Sequence, residues 1–357
     1  MTLALTEETP PAGYERLIFA QDDESGLAAY ICLHSTVCGP AAGGCRMWAY
    51  GSRAEARRDV CRLAKGMTAK NALAGLGLGG GKSVIIGDAG RDKSPALLRA
   101  FGRAVQSLRG HYYTAEDVGM SPADMAIVAQ ETSYAVGLEI GGHGSGDPSP
   151  FTAEGVFQCQ KVGAREVFGT ADLTGRRVLV QGLGHVGMAL AQKLHAAGAH
   201  LIVSDIKDGA LREAQGRFDA EICDPDALFD AEIEIFAPCA LGGVLTRDSV
   251  ERLSARLVCG AANNQLAEDG VAEALHARGI SYLPDYVVNA GGIISVASEI
   301  HKAGDSYRRA RLKDISARAK EILKLSRTTG RTTTAVADAL VARILAETRI
   351  NGCEVTA

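Results

Sequence analysis

The stretch RRVLVQGLGHVGMALAQKLHAAGAHLIVSDI, residues 176–206, decides the fold. It reads as strand, glycine turn, helix and second strand. Gly182-Leu-Gly184-His-Val-Gly187 follows the first strand and opens the helix, and Asp205 ends the next strand 18 residues past Gly187. The first two glycines let backbone N–H groups approach a pyrophosphate at a helix N-terminus, where the dipole favours anions. Asp205 can accept hydrogen bonds from ribose hydroxyls. Its charge repels a 2′-phosphate, which favours NAD over NADP as cofactor. His185, a variable position of the motif, is expected to face solvent. His185, Val186 and Ile206 complete the expected cofactor-contacting set around this turn.

Around this stretch, short apolar runs (IEIFAPC, RLVCGAA, ISYLP) alternate with helical stretches, the pattern of a parallel sheet covered by helices. Upstream, the loop GGHGSGDPSP (141–150) has the Gly, Ser and Pro content of an interdomain hinge. The first 135 residues also alternate strand and helix. Two strands within 15–35 join at Asp22–Gly26, and a helix over 53–66 is expected to stop at Gly66. SVIIGD (83–88) is a short strand, and Ser94 and Ser121, each followed by proline, start helices over 94–108 and 121–132. A polar-faced helix over about 303–327 precedes the linker TTGRTTT. The last helix, 335–348, is amphipathic and is expected to pack on the first domain or on another subunit. The predicted class is α/β with two domains separated by a cleft. An N-terminal mixed α/β substrate domain takes residues 1–138 with the C-terminal helix 333–357. A C-terminal Rossmann-type dinucleotide-binding domain takes 139–332.

Composition agrees. In 357 residues, 46% are hydrophobic and 22% charged, which excludes a mainly disordered chain. No apolar stretch is long enough to cross a bilayer, and the N-terminus lacks the basic-then-apolar pattern of a secretory signal, so a cytoplasmic location is expected. A net charge of −4 favours neither nucleic acid nor an anionic membrane as partner. Nine cysteines form no CxxC pair; they are expected to be reduced and mostly buried, and no metal site is expected. Glycine is in excess, 42 residues or roughly 12% against a usual ~7%. The glycines cluster between apolar runs, so backbone must approach something closely there.

One cluster, Gly79-Gly80-Gly81-Lys82-Ser83, looks like a phosphate-binding loop. The pattern GxxxxGK[ST] needs glycine at 76, where Leu76 stands, and the segment leads into a strand rather than a helix. The alternative is a lysine on a tight, apolar-walled glycine turn, with a depressed pKa and the ability to act as a base. Lys70 lies twelve residues earlier, and Asp117 ends the strand YYTAED. Two lysines and an aspartate suit an α-amino acid or 2-keto acid. Spacing alone leaves solvated surface lysines as an equal reading.

The ordered segments GPAAGGCRMWAY (39–50), AKGMTAKNALAGLGLGGGKSVIIGD (64–88), YYTAEDVG (112–119), QGLGHVG (181–187), FAPCALGG (236–243), GAANNQL (260–266) and PDYVVNAGG (284–292) resemble the amino-acid dehydrogenases. The likeness is to the branch acting on leucine, valine and phenylalanine, and runs from about residue 14 to 348. The resemblance implies that Lys70 binds the substrate carboxylate, Lys82 is the catalytic lysine, and Asp117 exchanges protons with the amino nitrogen. It places Asn264 on the carboxylate and Gly43 along the substrate pocket. Thr152 and Asn289 fall near the nicotinamide, and Cys239, Ala240 and Asn263 along the cofactor path. The implied chemistry is loss of the α-hydrogen as hydride to NAD. Water activated by neutral Lys82 then attacks the iminium carbon, and a 2-keto acid and ammonia are released. The family also implies a homo-oligomer built on dimers, with an octamer among its forms. Segments 1–14 and 349–357 fall outside the match and are expected to be less ordered.

The implied side-chain pocket is lined by Ala42, Ala115, Val288, Ile293 and Val296. Ala115 and Ile293 resemble the enzymes of aliphatic substrates, whereas Ala42, in place of a leucine, widens the pocket. One methylene changes discrimination by only ~1–3 kcal/mol, so such changes can cancel. Leucine and other branched-chain acids are the first reading and phenylalanine or another aromatic acid the second. A catalytically inactive relative would be expected to lack one of Lys70, Lys82 and Asp117; all three are present. Trp48, His34 and His111 are read as packing or surface residues.

Overall fold

The computed structural model describes residues 3–138 and 147–354. It divides into two compact units. One holds Met1–Asp147, Ile293–Arg308 and Val341–Ala357, the other Pro148–Gly292 and Arg309–Leu340. The division expected from sequence differs: it assigned 293–308 to the dinucleotide domain and 333–340 to the first domain. Two hydrogen bonds explain the return of 293–308. Glu299 Oε2 accepts from Gly137 N at 2.8 Å, and the His301 ring meets the Leu76 carbonyl at 2.7 Å. The expected hinge glycines, 141–146, lie outside the described residues.

The first unit is built on a six-stranded sheet: β1 (Ala4–Glu8), β2 (Arg16–Asp22), β3 (Leu27–Ser35), β4 (Ala41–Trp48), β5 (Gly79–Ile86) and β6 (Tyr112–Glu116), in the order β1-β2-β3-β5-β4-β6. β1, β2, β3 and β5 pair antiparallel in turn, while β4 runs parallel to both β5 and β6. Helix α1 (Arg53–Leu73) joins β4 to β5, and α2 (Pro95–Ser107) joins β5 to β6. The β4-to-β5 and β5-to-β6 connections run in opposite directions along the sheet, the second crossing over β4. Their helices accordingly cover opposite faces: Ala56, Val60 and Ala64 of α1 pack with Cys32 and Val84, whereas Leu97, Leu98 and Phe101 of α2 pack with Ile31, Cys45 and Ile85. β4 is therefore a switch point, and ligands of open α/β sheets bind beyond the carboxyl ends of the strands at such points.

Four sequence expectations are corrected by the structure. Gly66 does not stop α1. Ser52 caps the start, its side chain accepting from Glu55 N, and the helix runs to Leu73, carrying Lys70 in its last turn. Glycine inside a helix costs only ~1 kcal/mol, which the buried face of α1 readily exceeds. Next, Gly79–Lys82 is not a turn but the first half of β5, buried along its length. These glycines let α1 lie against the strand: a Cβ on Gly80 would overlap the backbone of Thr68. Asn71 holds the approach, donating to the carbonyls of Ala42 at 3.2 Å and Gly79 at 2.5 Å. Finally, the described parts of both terminal segments carry regular elements. Ala4–Glu8 adds an edge strand, and the last helix spans Thr333–Glu354. The helix expected over 121–132 is shorter, α3 (Pro122–Val128).

The second unit carries the all-parallel sheet that residues 176–206 predicted. Its strands are β7 (Arg177–Gln181), β8 (His200–Ser204), β9 (Glu221–Ile222), β10 (Ile235–Pro238), β11 (Leu257–Val258) and β12 (Ser281–Tyr282). The order β12-β11-β10-β7-β8-β9 is the doubly wound arrangement, with β7 and β10 at the reversal. Helices α4 (Ser149–Phe168) and α5 (His185–Ala196) flank β7 in sequence, and Val178, Leu179, Val180, Ile202 and Phe236 are fully or almost fully buried.

Close approach at Gly80 and open space at Gly66 give opposite expectations. Gly66→Ala should stabilise by about 0.5–1 kcal/mol, since no atom lies within 4 Å of where the alanine methyl would sit and helix propensity improves. Gly80→Ala should destabilise by at least ~1–3 kcal/mol through overpacking. Urea unfolding midpoints of the two variants test this; an unchanged midpoint for Gly80→Ala would discard the packing account.

Candidate active site

Three strands and one helix of the first unit bring the expected chemistry together. Lys82 and Val84 lie on the face of β5 that α1 covers, since Val84 belongs to the cluster with Ala56 and Val60. Arg46 pairs with Val84 across β4 and β5, and Cys45 pairs with Glu116 across β4 and β6. Asp117, one residue past β6, thereby reaches the same face. Lys82 Nζ lies 2.7 Å from Asp117 Oδ2, with the two side chains 8% and 18% exposed. Arg46 Nε lies 3.3 Å from the same oxygen. Lys70 stands one helical turn from Met67, whose side chain faces Gly43 of β4. Gly43 itself has no room for a side chain: a Cβ there would overlap the Gly81 carbonyl. Its own carbonyl accepts from Tyr112 Oη at 2.9 Å. Ala42 and Ala115 are buried on neighbouring strands of this sheet.

Burial alone would push the Asp117 carboxyl up. The charges of Lys82 and Arg46, the Lys82 hydrogen bond and the Val118 N–H more than offset it and hold the group at about 2. Asp117 is thus a buried anion held by two cations. Burial raises the thiol of neighbouring Cys45 to about 12, so it stays neutral.

The second unit presents the dinucleotide turn. Gly182 has φ +93°, and a Cβ there would lie 2.7 Å from the backbone nitrogen of Ala240. A Cβ on Gly187 would overlap the Gly182 carbonyl. Gly184 caps α5 in extended conformation with no side-chain hydrogen bond and nothing within 4 Å of its missing side chain. That leaves the first N–H groups of α5 without a side-chain cap. Asp205 accepts from Leu183 N at 2.6 Å with one oxygen and from Lys207 N at 2.8 Å with the other. Each oxygen keeps a lone pair for a further donor. His185 and Ala240 are exposed, Ile206 is 89% exposed, and Val186 and Cys239 are half-buried.

The expected nicotinamide positions also belong to this unit. Thr152 and Asn289 are buried, and a Cβ on Gly291 would lie 2.5 Å from Thr152 Cα. Asn289 Nδ2 donates to Ala261 O at 3.0 Å and to Asn263 Oδ1 at 2.8 Å. Its Oδ1 is buried with no hydrogen-bond partner among the described residues. Asn264 is exposed, with φ +53°, and its N–H is fixed by Asp285 Oδ2 at 2.9 Å. Asn264 thus belongs to the second unit, whereas Lys70, Lys82 and Asp117 belong to the first. Val288 ends a short helix of the second unit, while Ile293, buried, and Val296, half-buried, belong to the first. No group of His, Cys, Asp and Glu able to hold a metal ion occurs among the described residues. No helix there is long and apolar enough to cross a membrane. Trp48 is 54% exposed, and the described cysteines are all free.

Sequence reasoning missed Arg46. A lone arginine in GGCRMW gives no local signal. Its role follows from the β4–β6 register, which sets it beside Asp117 across some seventy residues of chain.

A parallel sheet with a dinucleotide turn in one unit, and a buried lysine–aspartate pair in the other, define a two-domain α/β dehydrogenase. Residues 15–134 match the Glu/Leu/Phe/Val dehydrogenase dimerisation domain, and 142–226 and 207–346 match the Glutamate/Leucine/Phenylalanine/Valine dehydrogenase family. The chain belongs to this family of amino-acid dehydrogenases. It is 46% identical over 340 residues to leucine dehydrogenase of Bacillus cereus, covering 95% of this chain and 93% of that one. It is 45% identical to valine dehydrogenase of Streptomyces coelicolor, covering 94% and 93%. Among solved structures, L-tryptophan dehydrogenase from Nostoc punctiforme superposes with a TM-score of 0.83 at 36% identity, covering 94% of this chain and 97% of that one. Enzymes of this family use NAD or NADP.

The depressed Asp117 carboxyl has a signature in acid. Its folded value, about 2, lies below the ordinary 3.8, so ionised Asp117 stabilises the fold. The contribution, roughly 2 kcal/mol, is complete above about pH 4 and is lost as pH falls through about 2. The stability gap between wild type and Asp117→Asn should therefore narrow between about pH 5 and about pH 2. Unfolding free energies across that range check it; a constant gap contradicts it.

Proposed function

We propose that the chain catalyses the NAD-dependent, reversible oxidative deamination of L-leucine and other branched-chain L-amino acids to 2-keto acids and ammonia. The observation that carries this reading is the 2.7 Å Lys82–Asp117 pair on the sheet face covered by Lys70's helix, in a chain 46% identical to a leucine dehydrogenase. Lys70 binds the substrate carboxylate, with Asn264 and the backbone at Gly43 as further polar contacts. Lys82 activates water, and Asp117 moves protons to and from the amino nitrogen. Ala42, Ala115, Val288, Ile293 and Val296 offer an apolar lining with no charge to pair with an acidic side chain. Bound NAD supplies the hydride acceptor. Gly182, Gly184, His185, Val186 and Gly187 carry its pyrophosphate, Asp205 and Ile206 its adenosine. Thr152, Cys239, Ala240, Asn263 and Asn289 line the nicotinamide end. The uncapped N–H groups of α5 and the unsatisfied Asn289 Oδ1 fit such a ligand. The residue ranges 1–138 with 333–357, and 139–332, remain our functional division into substrate and cofactor domains. A homo-oligomer built on dimers is part of the same reading, since residues 15–134 match a dimerisation domain.

A second reading, an aromatic amino acid as substrate, draws on the small Ala42 and on the 36% identity to a tryptophan dehydrogenase. A panel of leucine, valine, phenylalanine, tryptophan and glutamate, followed by NADH absorbance, decides. Leucine or valine should give the highest kcat/KM; higher values with the aromatic acids would move the assignment to the second reading, and no signal with any would remove both. Lys82→Ala should lower turnover by at least ~10²-fold while NAD binding, read by fluorescence titration, persists. Asp205→Ser should relax the preference for NAD over NADP, because it removes the charge opposed to a 2′-phosphate; unchanged relative kcat/KM for the two cofactors would count against Asp205.

A further inference from the structure

Arg46 stands outside every role assigned above, yet it is tied into the site at both ends. Its Nε meets Asp117 Oδ2 at 3.3 Å, the oxygen that Lys82 Nζ meets at 2.7 Å. Its Nη1 donates to Asp59 Oδ2 at 3.1 Å. Tyr50 Oη donates to the same Asp59 oxygen at 2.7 Å, and Arg62 donates to the other at 2.8 Å. Arg46 and Asp59 are only 19% and 15% exposed. A chain of alternating charge thus runs from Arg62 at the surface through Asp59, Arg46 and Asp117 to Lys82, linking α1, β4, the end of β6 and β5.

We propose that Arg46 is a positioning residue for the deamination. It fixes the rotamer of Asp117 by one oxygen, and the Asp59–Tyr50 pair on its far side fixes Arg46. The inference rests on the amino-acid dehydrogenase reading of the site. The geometry gives the reason. A carboxylate held by a single lysine can rotate about its last torsion, because an ammonium is a point charge on a flexible stem. A guanidinium is a planar charge, here held at its other end by Asp59, so the 3.3 Å ion-pair contact from Arg46 sets a second, fixed charge against the same oxygen and restricts that rotation. Asp59 serves Arg46 in the same way: burial would push its carboxyl up, but Arg62, Tyr50 and Arg46 bring it down, so it stays an anion.

The arrangement separates positioning from substrate binding. Arg46 is expected to matter for the chemical step more than for the affinity of the amino acid. Arg46→Met should lower kcat by roughly 10- to 100-fold, with the amino-acid KM changed by less than about threefold. Arg46→Lys should recover part of the loss, and Asp59→Asn should fall between wild type and Arg46→Met. An unchanged kcat in Arg46→Met, or a higher KM with full kcat, overturns the proposal. So does a kcat loss in Arg46→Met that matches its loss of folded protein by circular dichroism, with Asp59→Asn fully active.

A second readout needs no turnover. The groups facing Asp117 are Lys82 from β5 and Arg46 from β4, with Asp59 of α1 acting through Arg46; the Cys45 thiol and Tyr112 lie on the α2 face and interact with it only through space. Only Arg46 is altered in Arg46→Met. The Asp117 carboxyl, followed by carbon-13 NMR and assigned by its absence in Asp117→Asn, should then titrate at higher pH than in wild type. An unmoved titration overturns the proposal whether or not any amino acid is turned over, and a wild type inactive on the whole panel defeats only the underlying reading.

Discussion

A carboxylate buried beside two cations is the constraint around which the first unit is arranged. Removing Asp117 from water costs several kcal/mol unless opposite charge is placed against it, and the charges must come from different strands to meet at one oxygen. Lys82 arrives on β5 and Arg46 on β4, while Asp117 sits just past β6. Only the order β5-β4-β6, with all three strands parallel, lets these residues meet on one face. The same order makes β4 the switch point, so α1 covers the face that carries Lys82 and Arg46, and α2 the opposite one. Charge pairing and topology are thus one requirement stated twice.

Glycine serves that requirement in two ways. In the first unit it removes side chains from the sheet, so that α1 can lie close enough to bring Lys70 toward the strands. A Cβ on Gly80 would overlap Thr68, and the Asn71 hydrogen bonds clamp helix to sheet at that short distance. In the second unit it permits a backbone shape. Gly182, at φ +93°, turns the chain from β7 into α5 with no room for a side chain against Ala240. Its neighbour Gly184 faces open space instead, which is what a turn meant to receive a ligand requires.

The second unit was legible in the sequence because its signals are local. Strand, glycine turn, helix, strand and a terminal acid all lie within residues 176–206, and the sheet follows in the expected order. The first unit was legible in composition and less so in placement. Glycine is disfavoured in strands, so Gly79–Lys82 reads as a turn, and only the tertiary need for α1 to approach makes it β5. Gly66 reads as a stop for the same reason, although packing carries α1 past it. Arg46 had no local signal at all, because its partner is supplied by register across the sheet. Lys82 and Asp117 could be picked out as residue types, but their contact at 2.7 Å is a product of strand order.

The charge balance at Asp117 also bears on how the proposed reaction can run. With its carboxyl held at about 2, Asp117 is an anion throughout the neutral range, which makes it a weak proton acceptor while both cations remain. A group that must take a proton from an amino nitrogen therefore needs one of its cations to withdraw or lose its charge. Arginine stays protonated at any pH an enzyme meets, so Arg46 is the constant partner. Lysine can be neutralised or can move its flexible stem, so Lys82 is the variable one. On the proposed mechanism, the base that takes a proton from the attacking water is the Lys82 amine, formed when its ammonium proton passes to solvent. That same change raises the proton affinity of Asp117 just when the amino nitrogen has a proton to exchange. The two catalytic roles are then coupled through a single carboxylate oxygen, and Arg46 holds that oxygen in place while the charge beside it changes.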